Sequence, residues 1–150
     1  MNNNYRKVSK EMMERLKKKG VRLTPQRLAV IEFLKVHKGH PSVDEIYYAI
    51  RRKYPSISPA TVYSTLQMLK EMGEIQELHI RADKASFDYN PQPHHHFLCR
   101  ICGTIMDVEV DCPIRNRKTI GGHKVEKVKA YLFGVCSECL KQESEAKESS

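Results

Sequence analysis

Four cysteines in two CxxC pairs are the residues whose types and spacing most clearly predict chemistry in this chain. The pairs are Cys99–Cys102 and Cys136–Cys139, and 33 residues separate them. Two such pairs supply four thiolates, the ligand set that a tetrahedral structural Zn²⁺ prefers. We therefore expect one structural zinc per chain, held by Cys99, Cys102, Cys136 and Cys139. Two disulfides are the alternative, and they require an oxidising compartment.

The beginning of the chain gives no sign of such a compartment. Residues 1–10 are polar and basic, without the apolar segment of a secretory signal, and no stretch of the sequence approaches a membrane span. We expect a cytoplasmic protein with no membrane partner, in which paired CxxC motifs hold metal. Cys112 is left over, and we interpret it as a half-buried small residue rather than a redox group.

Three consecutive histidines, His94, His95 and His96, stand too close to Cys99 for all of them to join the same tetrahedron. This surplus of ligands suggests a second metal site. If the segment is extended, His95 faces away from His94 and His96, so we leave it outside that site. Asp107 begins an alternation of acidic and apolar residues that predicts a half-exposed strand.

The charge is distributed unevenly along the 150 residues, whose formal net charge is +8. Residues 1–90 carry 17 Lys and Arg against 10 Asp and Glu, whereas residues 91–150 carry 9 against 8 and contain every cysteine. This division suggests a nucleic-acid-binding half and a metal-binding half. We place a DNA-binding domain at 1–90, a proline-containing hinge at 91–93, a metal-binding domain at 94–140 and a flexible tail at 141–150.

The first half reads as helices followed by a small hairpin. Apolar spacing and capping signals predict four helices, which are Asn4–Lys18, one that begins at Thr24-Pro25, one that begins at the capping box of Ser42, and one from Ser58-Pro59 to Met72. Two strands, Glu74–Arg81 and Ala85–Tyr89, are predicted to follow around Asp83-Lys84. This is the order of a winged helix-turn-helix, in which the helix after the turn enters the major groove of DNA. The sequence therefore predicts an α+β protein that binds a double-stranded DNA operator.

The helix Pro59–Met72 is the one we expect to read DNA. Its apolar positions can pack inward, while its polar side chains can meet base edges or phosphates. These side chains are Thr61, Tyr63, Ser64, Thr65 and Gln67. A solvated polar helix face is the alternative interpretation.

Several motifs together resemble the Fur family of metal-dependent bacterial repressors. They are Val21–Arg27, His40-Pro41-Ser42, Ala60–Tyr63, His94–Cys99 and Cys102-Gly103, and their order and spacing match from about Val21 to Cys139. The resemblance implies a winged-helix N-terminal domain, a C-terminal α/β dimerisation domain with the zinc, a homodimer, and a regulatory metal between the domains. It also adds Arg22, Arg27, Ser58 and Ala60 to the expected DNA-binding residues.

The family pattern, matched position by position, implies five ligands for the regulatory metal. They are His40, Asp88, His94, His96 and Asp107. Both carboxylates are Asp, as in the peroxide-sensing members, whereas iron sensors typically have Glu. The resemblance thus implies a repressor that binds Fe²⁺ or Mn²⁺ and senses peroxide through Fe(II)-catalysed oxidation of His40 or His94. An iron- or manganese-sensing repressor without peroxide chemistry is the alternative.

Other function classes fit the sequence less well. A metalloenzyme would use similar ligands, but GxSxG, HExxH and phosphate-binding glycine loops are absent from the sequence, so we expect no enzyme. A zinc-sensing relative would more often replace the two aspartates, and a bare DNA-binding module would leave the histidines without a role. Only 13 residues separate Asp107 from Gly121, which predicts an interface helix about one turn shorter than usual.

Overall fold

The computed structural model describes residues 10–37, 39–90, 92 and 94–150. The chain has the α+β fold that the sequence predicts, with helices first and most of the strands afterwards. It divides into two compact units, Met1–Pro91 and Gln92–Ser150, which we call the N-terminal and C-terminal units. None of the helices in the described ranges combines the length and the apolar character that a membrane span requires.

The described residues of the N-terminal unit form four helices, and the local signals in the sequence explain where the later ones begin. They are α1 (Lys10–Lys18), α2 (Pro25–Val36), α3 (Val43–Ile50) and α4 (Pro59–Glu71). Thr24 and Ser58 cap α2 and α4 and are each followed by proline, which confirms the predicted starts. The predicted beginning of the first helix, from Asn4 through Val8, lies outside the described residues.

One apolar core holds these helices together. Helix α4 turns one face inward and packs against α2 and α3. The side chains that it buries completely include Val62, Leu66 and Leu69, which meet Val30 and Ile31 of α2 in the same cluster. The opposite face of α4 is thereby presented to solvent on a rigid support.

Two short antiparallel strands follow α4 as a wing. They are β1 (Gln76–Leu78) and β2 (Ser86–Asp88), and Gln76 lies directly opposite Asp88 in the ladder. Both are shorter than the predicted strands Glu74–Arg81 and Ala85–Tyr89, and the connection around Asp83-Lys84 is correspondingly longer, at seven residues. Ile80 is buried, so the chain turns inward there rather than continuing the ladder.

A three-stranded sheet forms the centre of the C-terminal unit. Its strands are β4 (Ile105–Val108), β3 (His95–Cys99) and β7 (Tyr131–Gly134), in that order, with β3 antiparallel to β4 and parallel to β7. A separate hairpin pairs β5 (Thr119–Ile120) with β6 (His123–Lys124). Gly121 and Gly122 form its turn with φ values of 57° and 81°, which glycine adopts readily.

The prediction of a short interface helix between Asp107 and Gly121 was wrong. Residues 109–118, all of them described, contain no helix. The backbone N–H of Arg115 donates to the Cys112 carbonyl, and that of Arg117 donates to the Ile114 carbonyl. Pro113 disfavours a helical conformation at the residue before it, which accounts for the break near the start of this segment.

The flexible tail expected over 141–150 is also different in the structure. Helix α5 (Ser137–Glu148) continues through most of it. Its residues are largely Glu, Lys, Gln and Ala, which favour helix without a buried face, and Lys141 pairs with Glu138 at 3.3 Å.

We predict that Ser42→Ala lowers the free energy of unfolding of the N-terminal unit by about 1 kcal/mol. The Ser42 hydroxyl accepts from the Glu45 N–H, and the Glu45 carboxylate accepts from the Ser42 N–H, so the change opens the capping box of α3. Urea unfolding followed by circular dichroism measures the effect. Ser56→Ala, at an exposed serine of the same unit, should change the stability by less than about 0.5 kcal/mol. Equal losses in both variants would contradict the prediction.

Candidate metal centres and nucleic-acid interface

The two CxxC pairs lie where a strand ends and where a helix begins. Cys99 is the last residue of β3, and Cys102 follows it in a turn closed by a bond from the Gly103 N–H to the Cys99 carbonyl. Gly103 has a φ of 71°, which explains the glycine after the pair. Cys136 caps α5 and Cys139 lies in its first turn, where the helix dipole favours thiolates.

The sulfur atoms of these four cysteines have the separations that a tetrahedral zinc requires. All four Sγ atoms lie within 4.8 Å of one another, with Cys99 and Cys139 at 3.9 Å and Cys102 and Cys136 at 3.8 Å. Zinc–sulfur bonds of about 2.3 Å place neighbouring sulfurs of a tetrahedron about 3.8 Å apart. The residues therefore fit Zn²⁺, and the separations are far too long for disulfides.

Hydrogen bonds around the cluster favour some thiolates and oppose others. The backbone N–H groups of Cys102 and Cys136 lower the pKa of the Cys99 thiol to about 6. The side chain of Cys136, together with burial, raises the pKa of Cys139 to about 12. Four thiolates so close together repel one another, and a divalent cation among them removes the repulsion.

In the N-terminal unit, the structure brings His40 and Asp88 together. The Nε2 atom of His40 lies 3.5 Å from Oδ2 of Asp88, and both side chains are buried. The Phe87 N–H donates to the Pro41 carbonyl at 2.9 Å, so the loop before α3 is attached to strand β2 next to the aspartate. This main-chain bond explains why two residues 48 positions apart meet.

The Asp88 carboxylate is oriented by the residues that follow it. Its Oδ1 atom accepts from the Asn90 N–H at 2.9 Å, which is an Asx turn. The Gln76 amide donates to the Asn90 carbonyl at 2.6 Å. Our sequence analysis missed both Gln76 and Asn90, although a carboxylate two residues before Asn90 is the sequence signal of such a turn.

In the C-terminal unit, Asp107 lies between two histidines. Its Oδ1 atom is 3.1 Å from Nε2 of His94 and 3.4 Å from Nε2 of His96, and the two rings are 4.3 Å apart between centroids. Strand pairing causes this arrangement, because His96 lies directly opposite Asp107 in the β3–β4 ladder.

The Gln92 carbonyl, which the sequence analysis also missed, fixes the ring of His94. It lies 2.6 Å from Nδ1, and because a carbonyl only accepts, Nδ1 carries the proton. Nε2 is then the nitrogen suited to bind a metal.

Two further residues lie outside both groups of ligands. His95 is buried one position along β3 from His96 and therefore lies on the other face of the strand. Cys112 is half-buried and does not belong to the four-cysteine cluster.

A basic cleft in the N-terminal unit gathers several predicted DNA-binding residues. Its volume is about 710 Å³, and its lining includes Arg22, Arg27, Thr61 and Ser64. Arg27 donates to the Arg22 carbonyl at 2.7 Å and so stiffens this edge. Of the other predicted residues, Ser58 caps α4, Ala60 and Tyr63 are exposed, and Gln67 is half-buried.

Thr65 is a correction to the predicted set. Its side chain is completely buried, and its hydroxyl donates to the Thr61 carbonyl at 2.7 Å. It packs on the core side of α4 beside Leu66 and Leu69, so it faces away from any bound DNA. A single threonine in a polar run carries no sequence signal that it faces inward.

A helix-turn-helix unit with a wing, joined to a unit with a four-thiolate zinc site and histidine–aspartate ligands, defines a metal-binding DNA-binding regulator. The profile of the ferric uptake regulator family matches residues 18–132. The chain therefore belongs to this family.

Similar proteins cover most of the chain. The peroxide operon regulator of Bacillus subtilis (strain 168) is 38% identical in an alignment of 138 positions that covers 90% of this chain and 95% of that protein. The structure of the ferric uptake regulator Fur of Helicobacter pylori covers 87% of this chain and 89% of its own, with a TM-score of 0.70 at 27% identity. That of PerR from Streptococcus pyogenes covers 86% and 90%, with a TM-score of 0.51 at 32% identity.

We predict that Cys99→Ser abolishes zinc binding and unfolds or dissociates the C-terminal unit. Structural zinc contributes ~10–16 kcal/mol of apparent folding free energy in zinc-finger peptides. Cys99 is also fully buried, in one cluster with Cys136 and Cys139. Metal analysis and thermal unfolding measure both effects.

The matched control is Cys112→Ser, the same change at the cysteine outside the cluster. It should keep about one zinc per chain and its unfolding midpoint. A well-folded, zinc-free Cys99→Ser dimer would refute the structural role of the metal.

Proposed function

We propose that this chain is a metal-dependent, DNA-binding transcriptional repressor that senses peroxide. The observation that carries the proposal is the identity of the two carboxylates, since Asp88 and Asp107 are both aspartates and both lie within 3.5 Å of histidine nitrogens. Membership of the ferric uptake regulator family and similarity to a protein named a peroxide operon regulator support it.

The regulatory metal in this proposal takes ligands from both units. His40 and Asp88 come from the N-terminal unit, and His94, His96 and Asp107 come from the C-terminal unit. Each group is already assembled within its own unit by main-chain bonds and strand pairing. Three imidazoles and two carboxylates form a set of intermediate-to-hard donors that suits Fe²⁺ or Mn²⁺, whereas the four thiolates suit Zn²⁺.

Sharing one ion between two units makes DNA affinity depend on the metal. An ion that needs both ligand groups favours the arrangement in which both reach it, and hence one presentation of α4 to DNA. The free energy by which the ion can favour one arrangement equals the difference between its affinities for the competing arrangements, typically about 1–3 kcal/mol.

Peroxide sensing follows from the histidines of this set. An Fe²⁺ ion held by these ligands would catalyse cleavage of the O–O bond of peroxide. One peroxide oxygen would be inserted into a ring C–H bond of His40 or His94, which is oxidised by two electrons, and the other oxygen would leave as water with both hydrogens of the peroxide. The modified imidazole is a poorer ligand, so the metal is held less tightly and the repressor leaves its operator. Mn²⁺ occupies the same ligands without this oxidation.

The proposed partners are a double-stranded DNA operator and a second copy of the chain. The exposed face of α4 and the basic cleft beside it support the first. The second is supported by strand β7, which pairs on one side with β3 and carries Phe133 with 64% of its surface exposed. The chain acts as a regulator rather than an enzyme, and its place of action is the cytoplasm.

We predict that Tyr63→Ala lowers specific operator affinity roughly tenfold. Tyr63 is 53% exposed on the outer face of α4, so truncation removes a contact without opening the core. Fluorescence anisotropy with a labelled operator at several salt concentrations is the measurement. The wild-type affinity should fall steeply with salt, because Lys and Arg displace counterions from phosphates.

Tyr48→Ala is the matched control, since Tyr48 is a similarly exposed tyrosine on α3. It should bind the operator as the wild type does. Operator affinity that is insensitive to salt, or unaffected by Tyr63→Ala, would remove α4 from the role of recognition helix.

We predict that Asp107→Glu retains metal-dependent DNA binding but reduces the peroxide sensitivity of the Fe²⁺ form. The change keeps the charge and the donor atoms, so a carboxylate still coordinates. The additional methylene shifts the oxygen that now lies 3.1 Å from His94 Nε2, and so alters access to the metal. DNA binding before and after micromolar peroxide, with mass spectrometry for one added oxygen, tests this.

The Mn²⁺ forms of both proteins should be unaffected by peroxide. If the wild-type Fe²⁺ form keeps its DNA affinity and gains no oxygen on a histidine, peroxide sensing is excluded. The iron- or manganese-sensing repressor then takes its place.

A further inference from the structure

We propose that Gln76 is a positioning residue for the regulatory metal, because it fixes the orientation of the Asp88 carboxylate through Asn90. The inference deepens the proposed function and rests on it. It concerns only residues of the N-terminal unit, whose contacts the structure describes.

The two oxygens of Asp88 have different partners. Oδ1 accepts from the Asn90 N–H at 2.9 Å, and Oδ2 lies 3.5 Å from Nε2 of His40. The Asx turn thus determines which oxygen is directed toward the histidine. We infer that Oδ2 is the oxygen that binds the metal together with His40.

Gln76 holds the residue on which this turn depends. Its side-chain amide donates to the Asn90 carbonyl at 2.6 Å, while the N–H of the same residue bonds to Asp88. Gln76 can do this because it lies directly opposite Asp88 in the β1–β2 ladder. Both main-chain groups of Asn90 are therefore engaged, one by the carboxylate and one by the amide.

Asn90 lies just beyond the wing. Strand β2 ends at Asp88, two residues before Asn90. Asn90 is exposed, and the next residue in the sequence is a proline, which has no N–H to donate. The bond from the Gln76 amide attaches Asn90 to strand β1 at this point.

The same arrangement gives a local reason for aspartate at position 88. An Asx turn closes through a short side chain, and the additional methylene of glutamate would enlarge the ring that includes the Asn90 N–H. Aspartate at position 88 thus suits the Asx turn at the end of the wing as well as the coordination of the metal. Outer partners of this kind typically contribute about 10–100-fold to metal affinity.

The experiment compares Gln76→Met with Gln26→Met in the zinc-loaded full-length chain. Methionine has a similar length and no N–H donor. Gln26 donates its amide to the Ser56 hydroxyl in the same unit, so its replacement is a matched control. Mn²⁺ is titrated into each protein and followed by electron paramagnetic resonance, and thermal unfolding is recorded without Mn²⁺.

Gln76→Met should bind Mn²⁺ roughly tenfold more weakly, the lower end of the range, because the bond to Asn90 is exposed to water. Its spectrum at saturating Mn²⁺ should also differ from that of the wild type, since the carboxylate is differently oriented. Zinc content and the unfolding midpoint should not change. Gln26→Met should match the wild type in all four measurements.

A Gln76→Met protein with wild-type affinity and spectrum would overturn this inference and leave the proposed function intact. A loss of affinity accompanied by a lower unfolding midpoint would assign Gln76 a structural role and also overturn it. If the wild-type chain binds no Mn²⁺ in addition to its zinc, the proposed function fails, and the inference fails with it.

Discussion

The four-thiolate cluster is the constraint on which the C-terminal unit depends. Among the described residues of this unit, the buried apolar side chains are those of Cys99, Ile105, Cys136 and Cys139. The three cysteines form one cluster, against which Phe97, Met106 and Val135 pack. The strands in the described part of this unit are two to five residues long. A unit of this size without an extensive apolar core needs a metal or a comparable cross-link to fold. The folding of this unit therefore depends on the zinc site.

The zinc cluster also fixes the strand that carries His96, one of the ligands that we propose for the regulatory metal. Strand β3 ends at Cys99 and carries His96 three residues earlier, so anchoring the cysteine fixes the strand that presents the histidine. Strand β4 then places Asp107 opposite His96. The N-terminal unit reaches the same result by other means, because an apolar core supports α3, whose preceding loop carries His40, and the wing, whose strand β2 carries Asp88. Two kinds of core thus preorganise the two groups of ligands.

Local signals in the sequence predicted much of this structure, and tertiary effects account for the errors. Capping residues such as Ser42 act within three positions and were interpreted correctly. The burial of Thr65 depends on which face of α4 meets the core, which a polar residue does not reveal. The extension of α5 to Glu148 reflects helix propensity in residues without apolar periodicity, which we had interpreted as a flexible tail. The contact of Gln76 with Asn90 requires the strand register, which short strands specify weakly.

We propose that one regulatory ion takes ligands from both units. Titration of Mn²⁺ into the zinc-loaded chain, beside its His40→Ala and His94→Ala variants, tests this proposal most directly. We expect one tightly bound Mn²⁺ per wild-type chain and a loss of affinity in each variant greater than the roughly tenfold effect of an outer partner. A His40→Ala protein that binds Mn²⁺ as tightly as the wild type would contradict it, because the ion would then belong to the C-terminal unit alone.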